Sequence, residues 1–221
     1  MIENQPIGQR CDPPSNLDVS FFPQKKNSGF GRAVNLGRSK LNTPYFFVLN
    51  PDVQIRPDTI SVLHEYMNRH PEVGLLVPKL LNPDGSLQVS TRTFYTLSTI
   101  LLRRSFLGKI FPNHPHLRKH LMKDWGHASI QEIDWALGAC MLIREKAVGA
   151  EIFDPRFFLY FEDVDLCFRL KKAGWKVMYH PEAIAIHHHR QKSRTSFFSR
   201  SNFAHLVSWI KFMAKHKSIH P

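Results

Sequence analysis

Three carboxylates interrupt an apolar, aromatic stretch in the last third of the chain. Glu162, Asp163 and Asp165 come just after residues 157–161, where four of the five side chains are aromatic. Charge in such surroundings is costly unless it is paired, hydrated in a cleft or used on a ligand. Aromatic neighbours that exclude water would raise the basicity of a carboxylate, which suits a general base. The alternative is structural: acids at a helix start favour the helix dipole, and Asp165 can pair with Arg169 one turn later. The pattern leaves both interpretations open.

A fourth acid follows a short apolar run. Asp52 belongs to Asn50-Pro51-Asp52, directly after residues 45–49. Ligands of open α/β sheets bind beyond the carboxyl ends of the strands, so Asp52 could hold a divalent cation on a phosphorylated ligand. A plain turn is the alternative, and Asn82-Pro83-Asp84-Gly85 is an internal comparison whose glycine completes such a turn. We expect a functional role for Asp52 and none for Asp84.

His187 ends a predicted strand and begins a run of three histidines. Its imidazole could complete a metal site with Asp52. The same run, next to Arg190 and Lys192, is also typical of a hydrated basic segment or an anion contact. Spacing alone favours the second interpretation.

A glycine-containing turn precedes the first predicted helix. Residues 27–31 read Asn-Ser-Gly-Phe-Gly, and Asn35 follows within the helix. Such a turn lets a phosphate or a sugar approach backbone amides. It matches neither the Walker A nor the Rossmann fingerprint, so on its own it is a weak signal.

The elements that would position these residues alternate between strand and helix. Short apolar runs predict strands, at 19–22, 45–49, 74–77, 139–143 and 175–186. Apolar residues at helical spacing predict helices, at 30–41, 57–70, 164–174 and from Asn202 onwards. This alternation indicates an α/β sheet in which 45–49 is a parallel strand covered on both faces. The last helix is amphipathic.

The charge balance is strongly basic. The 221 residues include 30 Lys and Arg against 18 Asp and Glu, a net charge of +12. Such a balance favours a polyanionic partner, and basic residues of 97–123 and 190–217 would suit an anionic membrane surface. Because no apolar run reaches the ~20 residues of a membrane-spanning helix, we expect a cytoplasmic protein, peripheral on the inner face of the cell membrane. Cys11, Cys140 and Cys167 lack metal-type spacing, which predicts buried thiols in a reducing compartment.

As an ordered set, these segments resemble the family 2 glycosyltransferases of the GT-A fold. The rhamnosyltransferase-like branch, which builds bacterial cell-surface polysaccharide, is the most similar. The segments that carry the resemblance are Asn27–Asn35, Asn50-Pro51-Asp52, Asp134–Cys140, Phe157–Leu166, Gly174-Trp175 and His187-His188.

The resemblance implies a role for each candidate residue. Asp163 matches the catalytic base, Asp52 matches a metal-binding Asp, and His187 matches a His near the metal and diphosphate. The matches to donor- and acceptor-binding positions are Asn27, Gly29, Asn35, Asn50, Trp135, Gly138, Ala139 and Glu162. The implied reaction is inverting transfer from a nucleotide-sugar donor to a glycan or lipid-linked acceptor, with Mg²⁺ or Mn²⁺ as cofactor.

Members of this family open with a strand, a helix and a second strand that hold the nucleotide base, and the sequence begins after them. We therefore expect a GT-A-like (Rossmann-like) mixed, mostly parallel sheet that lacks those strands, in a domain over 1–195. A basic amphipathic tail is expected over 196–221, and an open apolar sheet edge would favour self-association into a homo-oligomer. One alternative is a relative that binds but is catalytically impaired. Another, indicated by charge alone, is a nucleic-acid-binding protein, which would leave Asp52 and Asp163 without a role.

Overall fold

The computed structural model describes residues 18–104, 110–188 and 200–217, to which all structural statements below refer. The helices are α1 (Phe30–Arg38), α2 (Thr59–Arg69), α3 (Leu97–Arg104), α4 (Pro115–His120), α5 (Glu162–Lys172) and α6 (Arg200–His216). The strands are β1 (Tyr45–Leu49), β2 (Val53–Ile55), β3 (Val73–Leu81), β4 (Thr91–Arg92), β5 (Gln131–Glu132), β6 (Trp135–Ala136), β7 (Cys140–Arg144) and β8 (Lys176–His187).

The central sheet has six strands in the order β1-β7-β3-β8-β2, with β5 also paired to β8. Strands β4 and β6 form a small second sheet. The prediction of a mixed α/β sheet is confirmed, but the expectation that most strands pair in parallel is wrong. Among the described pairs of the central sheet, β3 and β8 run parallel and the others are antiparallel. The antiparallel pairs β1 with β7, β3 with β7 and β2 with β8 join strands that are far apart in the sequence, so the local alternation of strands and helices does not determine their direction.

Strand β1 was predicted to be parallel and covered on both faces, and only the second part of that prediction is confirmed. Phe46 and Val48 point into the larger core cluster, whereas Tyr45 and Phe47 pack against a second cluster on the other face. Both faces are therefore covered, as predicted. However, the strand pairs antiparallel with β7, at one end of the described strand order.

Helices cover both faces of the sheet. Leu63 and Met67 of α2 are fully buried in the smaller cluster, and Leu166 and Phe168 of α5 lie in the larger one. The predicted cap of α5 is confirmed, because Gly174 has a φ of 85° just beyond the helix. The strand predicted at 19–22 is not formed, since residues 18–24 have no strand partner.

Helix α6 packs on the core. Phe212 is 3% exposed and belongs to the larger cluster, and Trp209 and Met213 pack against it. The apolar face that predicted a membrane contact is thus largely occupied by the protein itself, although Leu206 and Ile210 stay exposed. The domain boundary predicted between residues 195 and 196 lies outside the described residues. None of the described helices is both long and apolar enough to cross a membrane.

Two of the three cysteines are buried free thiols, as predicted. Burial raises the pKa of Cys140 and of Cys167 to about 12. Cys11 lies outside the described residues.

Candidate active site

Asp163 lies in the first turn of α5 and faces the segment before β7. Its Oδ2 accepts a hydrogen bond from Gly138 N at 3.2 Å, and its Oδ1 accepts one from Val164 N at 2.8 Å. The turn before the helix is unusual, because Tyr160 and Phe161 have φ angles of 65° and 68°. Two consecutive non-glycine residues in the left-handed region are costly and are typical of functional sites.

Burial raises the pKa values of the two adjacent acids. The pKa of Asp163 rises to about 6, although the N–H groups of Val164 and Gly138 and the charge of Arg92 oppose this rise. Burial and the negative charge of Asp163 raise the pKa of Glu162 to about 8. Glu162 Oε2 is buried and has no hydrogen-bond partner in the described structure. Near neutral pH the pair therefore retains one proton, and the larger rise in pKa is that of Glu162.

Asp165 has a structural role, as the second interpretation of the acidic stretch predicts. Its carboxylate is fully buried and accepts a hydrogen bond from Arg169 Nε at 2.8 Å. Lys215 and His216 of α6 also contact it. The three acids thus divide into a half-buried base candidate, a buried neutral acid and a buried ion-pair partner.

Asp52 and His187 are brought together by strand pairing. Strand β2 follows Asp52 directly and pairs with β8 so that Val53 lies opposite His187. His188 N donates a hydrogen bond to Asp52 O at 2.8 Å, which fixes the turn. His187 Nε2 then lies 3.5 Å from Asp52 Oδ1.

The Asp52–His187 pair fits a divalent cation. Gln88 Oε1 accepts from His187 Nδ1 at 2.7 Å, so in the neutral imidazole the Nε2 lone pair faces the Asp52 carboxylate. A cation shared between them would stabilise this arrangement. A carboxylate oxygen and an imidazole nitrogen are both ligand types that a divalent cation can use. Among the described residues no group of three or more His, Cys, Asp or Glu could hold a metal ion.

The segment before β7 connects the two halves of the site. Gly138 N–H contacts Asp163, and Ala139 O accepts a hydrogen bond from Asn50 N at 2.9 Å. A Cβ on Gly138 would lie 3.6 Å from Asp163 Cβ, so Gly138 and the acid are in close contact. Asn50 Oδ1 is buried without a hydrogen-bond partner in the described structure, which leaves an acceptor beside Asp52.

Residues Asn27, Gly29 and Asn35 hold a loop against α1. Asn27 Oδ1 accepts from Gly29 N at 2.9 Å. The Asn35 side chain donates to Phe153 O at 2.7 Å and accepts from Phe153 N at 3.0 Å, so both of its polar atoms bind backbone. Gly29 has a φ of 90°, and a Cβ there would lie 2.8 Å from Phe158 O. Asn27 and Asn35 thus hold backbone groups, and donor binding by Asn27, Gly29 and Asn35 stays a prediction.

Trp135, predicted to line the donor or acceptor, is only 4% exposed. Its Nε1 donates to Thr93 O at 2.9 Å, and its ring stacks on Tyr95 with centroids 5.8 Å apart. Trp135 is therefore a core residue in the described structure, and its contact with the donor or acceptor stays a prediction.

Sequence reasoning does not single out Gln88 or Arg92. Gln88 orients His187, as described above. Arg92 Nη1 donates to Val89 O at 2.8 Å and Thr91 O at 2.7 Å, and the charge of Arg92 lowers the pKa of Asp163. Neither belongs to a motif, because each comes near the site only through a residue far along the chain: Gln88 contacts His187, and Arg92 lies opposite Trp135 in a strand pair.

Comparison with known proteins identifies the class. The family model described as glycosyltransferase like family 2 matches residues 9–204. The chain belongs to this family, and the resemblance inferred from the sequence is confirmed.

Two groups of relatives are rhamnosyltransferases by name. The chain is 34% identical over 183 residues to N-acetylglucosaminyl-diphospho-decaprenol L-rhamnosyltransferase of Mycobacterium tuberculosis, covering 77% of this chain and 59% of the relative. It is 31% identical over 173 residues to rhamnosyltransferase WbbL of Escherichia coli, covering 77% and 62%. The low-salt glycan biosynthesis hexosyltransferase Agl10 of Haloferax volcanii is 25% identical over 164 residues, covering 72% and 48%. The chain thus spans about three fifths of the length of the first of these relatives.

The fold is shared with a solved glycosyltransferase. GalNAc-T7, crystallised with UDP, GalNAc and Mn²⁺, superposes with a TM-score of 0.57 at 12% identity, covering 88% of this chain and 36% of that one. The predicted GT-A-like α/β architecture is confirmed.

Proposed function

We propose that the protein is an inverting glycosyltransferase of cell-surface polysaccharide synthesis. It would move rhamnose or a similar hexose from a nucleotide diphosphate sugar to a glycan or lipid-linked acceptor. The observation that carries the proposal is Asp163, a carboxylate with raised pKa held by Gly138 N–H at the end of the sheet where Asp52 and His187 meet. The names of the rhamnosyltransferase relatives support the choice of sugar and acceptor.

Asp163 would act as the general base. It removes the proton from an acceptor hydroxyl, whose oxygen bonds to the anomeric carbon as the bond to the diphosphate breaks on the opposite face. The pKa of about 6 keeps Asp163 ionised near neutral pH while making it more basic than an exposed aspartate. Glu162, neutral beside it, adds no second negative charge near the acceptor.

Asp52 and His187 would hold Mg²⁺ or Mn²⁺. Such a cation, when bound, neutralises charge on the leaving diphosphate. Two protein ligands suit a cation that takes its other ligands from phosphate oxygens and water. Asn50 Oδ1, buried beside this turn without a described partner, would accept a hydrogen bond from a donor hydroxyl.

The protein would work on the cytoplasmic face of the membrane, held there by charge. Lys119, in α4, and Lys123, just after that helix, are both exposed, and they belong to the basic stretch 97–123. Since most of the apolar face of α6 is packed on the core, we propose an electrostatic contact with anionic lipid and not an inserted helix.

The test measures sugar transfer by Asp163→Asn and Asp52→Ala. The donor is a nucleotide diphosphate sugar, and the released nucleoside diphosphate is quantified. Asp163→Asn should reduce kcat by about 10³-fold or more with donor affinity largely intact, because it removes the base without touching the donor. Asp52→Ala should instead weaken donor binding in the presence of Mn²⁺. Wild-type activity should fall below a pH of about 6, as Asp163 becomes protonated.

Asp84→Asn is the matched control, because Asp84 lies in an exposed turn with the same Asn-Pro-Asp sequence. It should behave as wild type. Full activity in Asp163→Asn would refute the assigned base. Donor binding by the wild type without any transfer would favour the binding-only alternative.

A further inference from the structure

Helix α6 lies against the turn that carries the candidate base. We call residues 159–163 the base turn. Ser208 Oγ donates a hydrogen bond to Leu159 O at 2.9 Å, and Ser208 is 4% exposed. The His205 ring lies 5.3 Å from the Tyr160 ring and 5.0 Å from the Phe161 ring. The outer side of the base turn is therefore covered by one face of α6.

The base turn needs such support. Tyr160 and Phe161 both have left-handed backbone angles, a conformation that persists only where the surroundings determine it. Phe161 is 2% exposed, and Phe212 of α6 packs on its ring with centroids 5.5 Å apart. Loss of the α6 contacts would allow the backbone to relax towards ordinary angles, and Asp163 would move with it.

A buried ion cluster fixes the C-terminal end of α6 to the same helix start. Lys215 Nζ lies 2.6 Å from Asp165 Oδ1 and 2.7 Å from Asp154 Oδ2. His216 Nε2 lies 2.7 Å from the same Asp165 oxygen. Asp165 is fully buried and is two residues beyond Asp163. Removing one partner from a buried charge cluster leaves the others uncompensated, so this attachment is sensitive to a single substitution.

We propose that α6 is a positioning element for the base, with Lys215 and Ser208 as its positioning residues. They hold the base turn so that the Asp163 carboxylate stays in hydrogen-bond contact with Gly138 N. The inference rests on the proposed glycosyl transfer, and it adds a role for a helix that otherwise reads as a basic tail.

The two halves of the site should respond differently. The described side-chain hydrogen bonds of α6 go to residues 154–165. Asp52 and His187 are held instead by β2, β8 and Gln88. Disturbing α6 should therefore lower kcat, which depends on the base, and leave the donor KM nearly unchanged.

The experiment compares Lys215→Met with Lys211→Met. Lys211 is one turn earlier on α6, is exposed, and contacts the backbone oxygen of Arg156 instead of Asp165. We expect Lys215→Met to lower kcat by about tenfold or more with a donor KM within about twofold, since a small misplacement of a reacting group is costly. Lys211→Met should match wild type. Lys215→Arg, which keeps the charge but not the shape of the ammonium group, should lower kcat less than Lys215→Met does.

Hydrogen–deuterium exchange adds a readout that does not need activity. Peptides covering 157–166 should exchange faster in Lys215→Met and at the wild-type rate in Lys211→Met. Ser208→Ala removes one hydrogen bond and leaves no buried charge unpaired, so it should show the same pattern more weakly. It replaces Lys215→Met in this experiment if that variant does not fold.

Wild-type kcat and unchanged exchange in folded Lys215→Met or Ser208→Ala would overturn the inference. So would faster exchange in every segment together with loss of donor binding, because that marks general destabilisation. If the wild type transfers no sugar but the exchange pattern is as expected, the proposed function fails while the support of the base turn by α6 stands.

Discussion

Glu162 and Asp163 are neighbours whose burial raises both pKa values, so the folded site retains a proton that an exposed pair would release. Glu162 Oε2 has no described hydrogen-bond partner. Ionising Glu162 would place an unsolvated charge next to Asp163. The fold is therefore more stable with Glu162 protonated than with Glu162 ionised.

This arrangement predicts how Glu162 affects stability. An acid whose pKa rises from an ordinary 4.5 to about 8 on folding binds more protons in the native state between those values. The stabilisation that comes from protonated Glu162 is therefore fully present below a pH of about 4.5, and it is lost as the pH rises to about 8. Glu162→Gln should become more stable relative to wild type as the pH increases from about 5 to about 8. Urea denaturation at several pH values measures the difference.

Glu151→Gln is the control, since Glu151 is exposed. Its difference from wild type should stay constant over the same range. A constant difference for Glu162→Gln as well would mean that Glu162 is ionised in the native protein.

The sequence indicates the candidate residues unevenly. Asp163, Asp165 and Asp52 are singled out by their neighbours, because helix starts and strand ends have local signals. The Asn35 amide pairs with Phe153, which is 118 residues away, and no local pattern predicts that contact. Arg92 is not predicted for the same reason, since it lies opposite Trp135, a residue distant in the sequence.

Among the elements, the α1 start depends on Gly29. Its φ of 90° is unfavourable for other residues, and a Cβ would lie 2.8 Å from Phe158 O. Gly29→Ala should lower the unfolding free energy by about 2 kcal/mol or more, through backbone strain and through displacement of the 153–158 loop. Chemical denaturation measures this loss.

Gly85→Ala separates the two contributions. Gly85 has a similar φ of 81°, but a Cβ there meets nothing within 4 Å. It should cost only about 1 kcal/mol, the strain alone. Equal losses at the two positions would show that the contact with Phe158 is unimportant.

Element positions follow from apolar periodicity, but strand direction does not. Residues 45–49 contact core on both faces whether their neighbour is parallel or antiparallel. Direction depends on connection length and on pairings such as β1 with β7, which join residues far apart in the chain. The short apolar run at 19–22 finds no partner strand, so propensity alone does not make it a strand.

For the whole molecule, the net charge of +12 predicts a salt-dependent attraction to anionic membranes. Sedimentation with vesicles should show binding to phosphatidylglycerol-containing vesicles about tenfold or more above binding to neutral ones, reduced by salt. Equal binding to both, or to neither, would refute the membrane contact.

The location of the contact can be tested with equal charge changes. Lys119→Gln with Lys123→Gln removes two exposed charges from the proposed surface, and Lys25→Gln with Lys26→Gln removes two exposed charges elsewhere. The first pair should weaken vesicle binding more. Equal weakening would indicate attraction by overall charge without a preferred face.

Gly138 and Ala139 are consecutive residues that hold both halves of the site, one through its N–H to Asp163 and the other through its carbonyl to Asn50. Thermal displacement of this segment would therefore carry the base and the Asp52 turn in the same direction. The absolute position of the reacting groups would fluctuate with the sheet, while the distance between them would change little. The proposed displacement, which needs its nucleophile and leaving group in line, would depend on that distance, so correlated motion of the two halves would preserve it.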